Sequence, residues 1–144
     1  MTENAVMADP ERCCDVLAAI AGAGVGVSVD DFGTGQSSLA QLRRIGADEL
    51  KIDRSFVMGM RADPFDREVV AAVAGLARRL GMRLVAEGVE DRAAWDALAA
   101  IGCDLAQGHG IARPMRFEAL LPFLDRARAA GLAATRPRGE ASAA

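Results

Sequence analysis

Val25-Gly26-Val27-Ser28-Val29, followed at once by Asp30-Asp31-Phe32-Gly33-Thr34-Gly35-Gln36-Ser37-Ser38-Leu39, decides how the whole chain is read. The apolar run is a buried strand, and it delivers two adjacent carboxylates to a glycine-bearing loop. Like charges so placed repel, and only cations or strong hydrogen-bond donors relieve them. Neighbouring residues on a strand point to opposite faces, so both acids reach one ion only if the chain turns at the pair, and Gly33 and Gly35 permit that turn. Oxygen-only ligands favour magnesium, manganese or calcium over zinc. The alternative is an Asp pair that caps a turn or helix before Ser37-Ser38.

Around this stretch helices and strands alternate. Asp9-Pro10-Glu11 starts a helix with Val16, Leu17 and Ile20 as its apolar stripe, and Ser37 or Ser38 can cap a second helix running to about Ile45. Leu50-Lys51-Ile52-Asp53 is a period-two strand with Lys51 and Asp53 on one face. Asp63-Pro64 opens a helix carrying Phe65, Val69, Val70, Val73, Leu76 and Leu80, closed by Gly81. Met58 and Met60 read as packing residues in the turn before it. Arg83-Leu84-Val85-Ala86 is a third strand, ending at Glu87-Gly88-Val89-Glu90. A helix from about Asp91 to Ile101 packs Trp95 and Leu98, and Cys103-Asp104-Leu105-Ala106 is a fourth strand running into Gln107-Gly108-His109-Gly110. A last helix from Arg116 offers Phe117, Leu120, Leu121 and Leu124, with Pro122 predicting that its regular part begins no earlier than about Glu118.

Four rounds of this alternation predict an α/β fold with a parallel sheet, and such sheets bind ligands at the carboxyl ends of their strands. Every predicted strand ends there in a polar group: Asp30 and Asp31, Lys51 and Asp53, Glu87, and Gln107.

The chain has 144 residues, 51 % of them apolar and 26 % charged, with a net charge of −3. That suffices for one domain with a proper core. It has no polybasic stretch, no Tyr and one Trp, which argues against long nucleic acid as a partner. Cys13, Cys14 and Cys103 lack metal-site spacing and suit a reducing cytoplasm, and no apolar run approaches the roughly 20 residues that span a bilayer.

Four segments resemble the EAL family of cyclic-di-GMP phosphodiesterases. Asp30 to Leu39 is similar to that family's double-aspartate loop, with Gln36 where Tyr is usual. Leu50-Lys51-Ile52-Asp53-Arg54-Ser55-Phe56-Val57 is similar to its lysine strand. Ala86-Glu87-Gly88-Val89-Glu90 and Gln107-Gly108-His109-Gly110-Ile111-Ala112-Arg113-Pro114 match its next two strand ends, with His109 at a second Tyr position. The resemblance implies a divalent pair, magnesium or manganese, held in part by Asp30 and Asp31. It further implies that Lys51 orients the attacking water, that Glu87 assists as ligand or base, and that Gln107 bonds into the water network. Glu3, in Thr2-Glu3-Asn4, matches a residue that anchors the double-aspartate loop. Asp53 and Glu90 are secondary candidates, as loop braces or as ligands.

The family fold is a (β/α)₈ TIM-like barrel of about 250 residues, so the resemblance makes residues 1–130 the C-terminal half barrel of a truncated EAL domain and 131–144 a flexible tail. The family's Glu-Ala-Leu strand signature, the first Glu of the segment that Glu3 matches, and an Asn from a strand between them, which in the family help hold one metal, have no counterpart among the segments that match. The expected function is hydrolysis of cyclic-di-GMP to linear pGpG, weak or absent in this chain alone. The alternative is a degenerate module that senses cyclic-di-GMP or contacts a partner, and a receiver-like phosphoacceptor with Asp53 as acceptor is disfavoured by Gln107 in place of a Lys. Opening a barrel bares its lining; burying about 1,000 Å² of such surface is worth about 25 kcal/mol, which predicts a homo-oligomer or a partner supplying the missing half.

Overall fold

The computed structural model describes residues 10–33, 42 and 46–131. They form helix α1 (Pro10–Gly22), strand β1 (Ser28–Phe32), strand β2 (Glu49–Ile52), helix α2 (Arg54–Gly59), helix α3 (Pro64–Arg79), strand β3 (Arg83–Ala86), helix α4 (Arg92–Ile101), strand β4 (Leu105–Ala106) and helix α5 (Phe117–Ala129). The strands make one sheet in the order β1-β2-β3-β4, every pair parallel. The predicted α/β alternation is therefore the architecture of the chain. Glu3, the Ser37-Ser38 cap and the 131–144 tail, beyond Gly131 itself, lie outside the described residues; Leu42 is helical and buried. Residues 1–111 and 112–144 are two compact units.

In the first unit the sheet has two unlike faces. Val29, Leu50, Leu84, Phe32, Ile52 and Ala86 sit side by side in register and join Val57, Val70, Val73, Ala74 and Ala77 of the helices in one buried core. The interleaved residues Ser28, Glu49, Lys51 and Arg83 stay outside that core. Val85 is buried yet does not belong to it, because it stands in register with Lys51 on the other face.

The element ends follow from their capping groups. Asp63 accepts from Phe65 N at 2.8 Å with Pro64 opening α3, and Asp91 accepts from Ala94 N at 2.8 Å to start α4. Gly102 closes α4 at φ 89°, a left-handed turn suited to glycine. Trp95 packs partly buried against the core, as its spacing predicts.

Several boundaries differ from expectation. β1 is not Val25 to Val29 but begins at Ser28, because Val25 N still bonds to Ile20 O at the helix end and Val27 N bonds to Asp48 Oδ2. β4 shrinks to two residues because Cys103 N bonds back to Leu98 O. α2 was not foreseen; Asp53 caps it through Ser55 N at 2.9 Å, and Val57 anchors it in the core. In α1 only Leu17 of the predicted stripe is buried, while Val16 and Ile20 are exposed. Phe65 is 69 % exposed, since five residues before Val70 is the far side of α3. Met60 packs in the core as predicted, but Met58 is exposed.

In the second unit α5 starts at Phe117, one residue before the limit set by Pro122, and accommodates that proline in its second turn. Phe117, Leu120, Leu121 and Leu124 are exposed rather than packed.

Candidate active site

Because β1, β2 and β3 are parallel neighbours, their carboxyl ends lie next to one another. Asp30, Lys51 and Glu87 occupy those ends on the face away from the helix-side core. Lys51 Nζ donates to Asp30 Oδ1 at 2.9 Å and pairs with Glu87 Oε1.

Asp31 joins them through its backbone. Its φ is 58°, in the left-handed region, and the β1–β2 register slips between Val29 and Phe32. The chain thus turns at the acid pair, as a shared ion requires, but the turn begins at Asp31 itself. Gly33 continues it at φ 101°, where a Cβ would come within 2.9 Å of the Phe56 ring; Gly35 lies outside the described residues. Oxygens of Asp30, Asp31 and Glu87 consequently lie within 4.8 Å of one another.

The cluster's backbone is held from below and beside. Glu87 N donates to Ile52 O at 3.3 Å, and Gly88 at φ 71° sits so close to the start of α2 that a Cβ there would lie 2.5 Å from Arg54 Cβ. Gln107 N donates to Ala86 O at 2.8 Å while its carbonyl accepts from Val89 N, so Gln107 ties β4 to the loop after Glu87.

Charge balance follows from these contacts. The Lys51 hydrogen bond holds the Asp30 carboxyl below its ordinary range, against the opposing effect of burial. Burial pulls the Lys51 ammonium down, but the Glu87 and Asp30 hydrogen bonds together outweigh it and raise it. The donor set is three hard oxygens, half-buried and mutually repelling, which suits a magnesium-, manganese- or calcium-type ion.

Of the sequence-predicted residues, Asp30, Asp31, Lys51 and Glu87 are brought together. Gln107 is at the end of β4 with an exposed side chain, Glu90 is exposed, and neither belongs to the carboxylate cluster. Asp53 is the α2 cap, its Oδ1 accepting from both Ser55 N and Ser55 Oγ, which is the loop-bracing role the sequence offered, and Asp53 is not part of the carboxylate cluster. An Asp two residues before a Ser, after a strand, was the signal for that cap. Further along the same face, Ser28 Oγ donates to Glu49 Oε1 at 3.0 Å and Arg83 pairs with Glu49 at 3.4 Å, contacts that the sequence alone did not suggest. On β1 to β3, therefore, the face opposite the core is mostly polar and ion-paired, where an opened barrel was expected to bare a hydrophobic lining. Among the described residues no helix is long and apolar enough to cross a membrane.

Known proteins share this fold. The chain is 44 % identical over 121 residues to the bifunctional diguanylate cyclase/cyclic di-GMP phosphodiesterase MucR of Pseudomonas aeruginosa, covering 84 % of this chain and 18 % of MucR. The solved PaMucR phosphodiesterase in complex with c-di-GMP superposes with a TM-score of 0.79 at 43 % identity, covering 83 % of this chain and 49 % of that one. Klebsiella pneumoniae BlrP1, solved with cy-diGMP and manganese, gives a TM-score of 0.73 at 35 % identity over 78 % of this chain and 29 % of that one; BlrP1 is also known with calcium. The chain thus spans about half of the solved PaMucR chain and less than a fifth of MucR, and its sheet is part of a TIM-like barrel. Residues 1–114 match the family described as the EAL domain, and this chain belongs to that family.

Proposed function

We propose that this chain provides the metal-holding rim of a cyclic-di-GMP phosphodiesterase and takes part in hydrolysis of the cyclic dinucleotide to linear pGpG. One observation carries the reading: Asp30, Asp31 and Glu87 converge to within 4.8 Å with Lys51 between two of them. Asp30, Asp31 and Glu87 would hold magnesium or manganese. When bound, such ions lower the pKa of a water and neutralise charge developing on phosphorus.

The chain's own residues do the rest. Lys51 orients the attacking water, and Glu87 assists as ligand or as the base that accepts its proton, the latter a contribution of about 10²–10⁴-fold. Gln107 serves as a hydrogen-bonding group for the water network, Glu90 braces the rim or adds a ligand, and Glu3, by its match to the family, would anchor the double-aspartate loop. Three carboxylates are fewer than the roughly six ligands that magnesium prefers, so the 144-residue chain by itself is a weak phosphodiesterase and becomes efficient when the remaining strands of a barrel are supplied. Three cysteines without metal-site spacing are in keeping with action in the cytoplasm.

The same cluster supports a second reading, binding without turnover, because its ligand set suffices to hold an ion that bridges to phosphate. The deciding experiment measures the mass of the purified chain in solution together with cyclic-di-GMP binding and hydrolysis in magnesium or manganese. Divalent-dependent binding with slow hydrolysis, accelerated by an added N-terminal EAL half, is expected. Efficient turnover by a monomer overturns the incomplete-site argument, binding that never leads to hydrolysis establishes the sensor, and no binding at all removes both.

A further inference from the structure

Lys51 contacts two of the three carboxylates at once. Its ammonium donates to Asp30 Oδ1 at 2.9 Å and pairs with Glu87 Oε1, while those same two side chains supply oxygens to the cluster that also includes Asp31. Three acids packed this closely need positive charge nearby to coexist, and Lys51 provides it from the neighbouring strand. Its side chain retains 20 % of its exposure, and a four-carbon stem lets the charge swing toward solvent without disturbing β2. A divalent cation among the three carboxylates draws on the same two side chains that the ammonium engages, and the two positive charges repel when both crowd the same pair.

We propose that Lys51 is the built-in counter-ion of the metal-free site: it holds Asp30 and Glu87 in place, and a divalent cation competes with it for these two carboxylates. The proposal rests on the reading of the cluster as a divalent-cation site. Loading and release are then two sides of one equilibrium. Lys51 lowers cation affinity, and the cation frees the ammonium to face the rim where an anionic phosphodiester arrives. Coupling of this kind is reciprocal, so whatever draws Lys51 away from the acids tightens the hold on the cation by the same factor.

The test titrates manganese chloride into the full chain and its Lys51→Met variant, by calorimetry at low ionic strength, and follows the thermal midpoint of each with and without manganese. Lys51→Met is expected to bind Mn²⁺ about tenfold more tightly, to melt lower without metal, and to gain more on adding it. The advantage shrinks at high salt, as screening requires. Equal or weaker Mn²⁺ binding by Lys51→Met, when the wild type binds, overturns the counter-ion role and leaves the cation site standing. Absence of Mn²⁺ binding in both proteins removes the cation site and the proposal with it. Should Lys51→Met fail to fold, the wild type answers through its ¹⁵N signals with diamagnetic Ca²⁺: the Lys51 ammonium signal must move together with the Asp31 amide. An Asp31 amide that shifts while the ammonium stays fixed overturns the proposal.

Discussion

On the helix-covered side of the sheet Leu50, Ile52, Leu84 and Ala86 are almost wholly excluded from water, whereas the residues interleaved with them, buried Val85 apart, are Glu49, Lys51, Arg83 and Glu87, which keep contact with solvent and meet in ion pairs. The two faces share the same strands and differ only in the parity of position. Burial on one side stabilises the strands by the transfer of apolar surface. On the other side, like charges gather at a cost in electrostatic repulsion, and the apolar face supplies the rigidity that keeps them together. The first face therefore answers to substitution through stability, and the second through binding.

The largest expected effect falls on the apolar face. Leu50 is fully buried, so Leu50→Ala removes core contacts and leaves a cavity, destabilising the chain by about 2–5 kcal/mol in urea unfolding. A loss below about 1 kcal/mol would mean that this layer is not the core. The matching change on the polar face is Asp31→Asn. Asparagine tolerates the left-handed backbone that Asp31 occupies, and the change removes one of three crowded charges. Unfolding free energy should move by less than about 1 kcal/mol, while Mn²⁺ affinity falls at least about tenfold, because an amide oxygen is a poorer ligand than a carboxylate. Unchanged Mn²⁺ binding in this variant would detach the acid pair from metal chemistry.

How much of this was visible in the sequence differs between the two faces. β3, α3 and α4 follow closely from period, Asp caps and terminal glycines, all local signals, and the convergence of Asp30, Lys51 and Glu87 follows from placing parallel strands side by side. What local pattern does not encode is tertiary capture of backbone groups. Asp48, 21 residues away, takes the Val27 amide and so delays the start of β1. Asp53 reads equally as a ligand and a brace in the sequence, and its bracing contact through Oδ1 to Ser55 shows only in three dimensions. That the chain turns at the acid pair was legible, but that the left-handed residue is Asp31 itself, ahead of Gly33, shows only in the structure, where the register with β2 slips.

Acid titration sharpens the contrast within the polar face. Asp30 has its pKa lowered from 3.8 by Lys51, so its contribution is present above about pH 4 and is lost as pH falls through the lower folded value. Lys51 has its pKa raised from 10.5, so its contribution persists through neutral pH and is lost only as pH rises past the raised value. The stability difference between wild type and Asp30→Asn should thus be flat between about pH 5 and 9, of order 1 kcal/mol or less after solvent screening, and should vanish in acid. A difference that grows on acidification would reverse the sign of the coupling and break the assigned pair.

The smallest effect is expected where an ion pair has no buried face beneath it. Arg92 and Asp96 meet at 2.9 Å on α4 with side chains 73 % and 59 % exposed. Water screens such a pair, and a positive residue in the first turn of a helix opposes the dipole, so the order Arg then Asp is the weaker orientation. Alanine has the better helix propensity as well. Arg92→Ala should therefore shift unfolding free energy by less than about 0.5 kcal/mol, with either sign. A loss above 1 kcal/mol in the same urea assay would show that solvated pairs on this chain count as much as the half-buried one at Lys51, and the distinction between a surface contact and a site held by its own counter-ion would have to rest on metal binding alone.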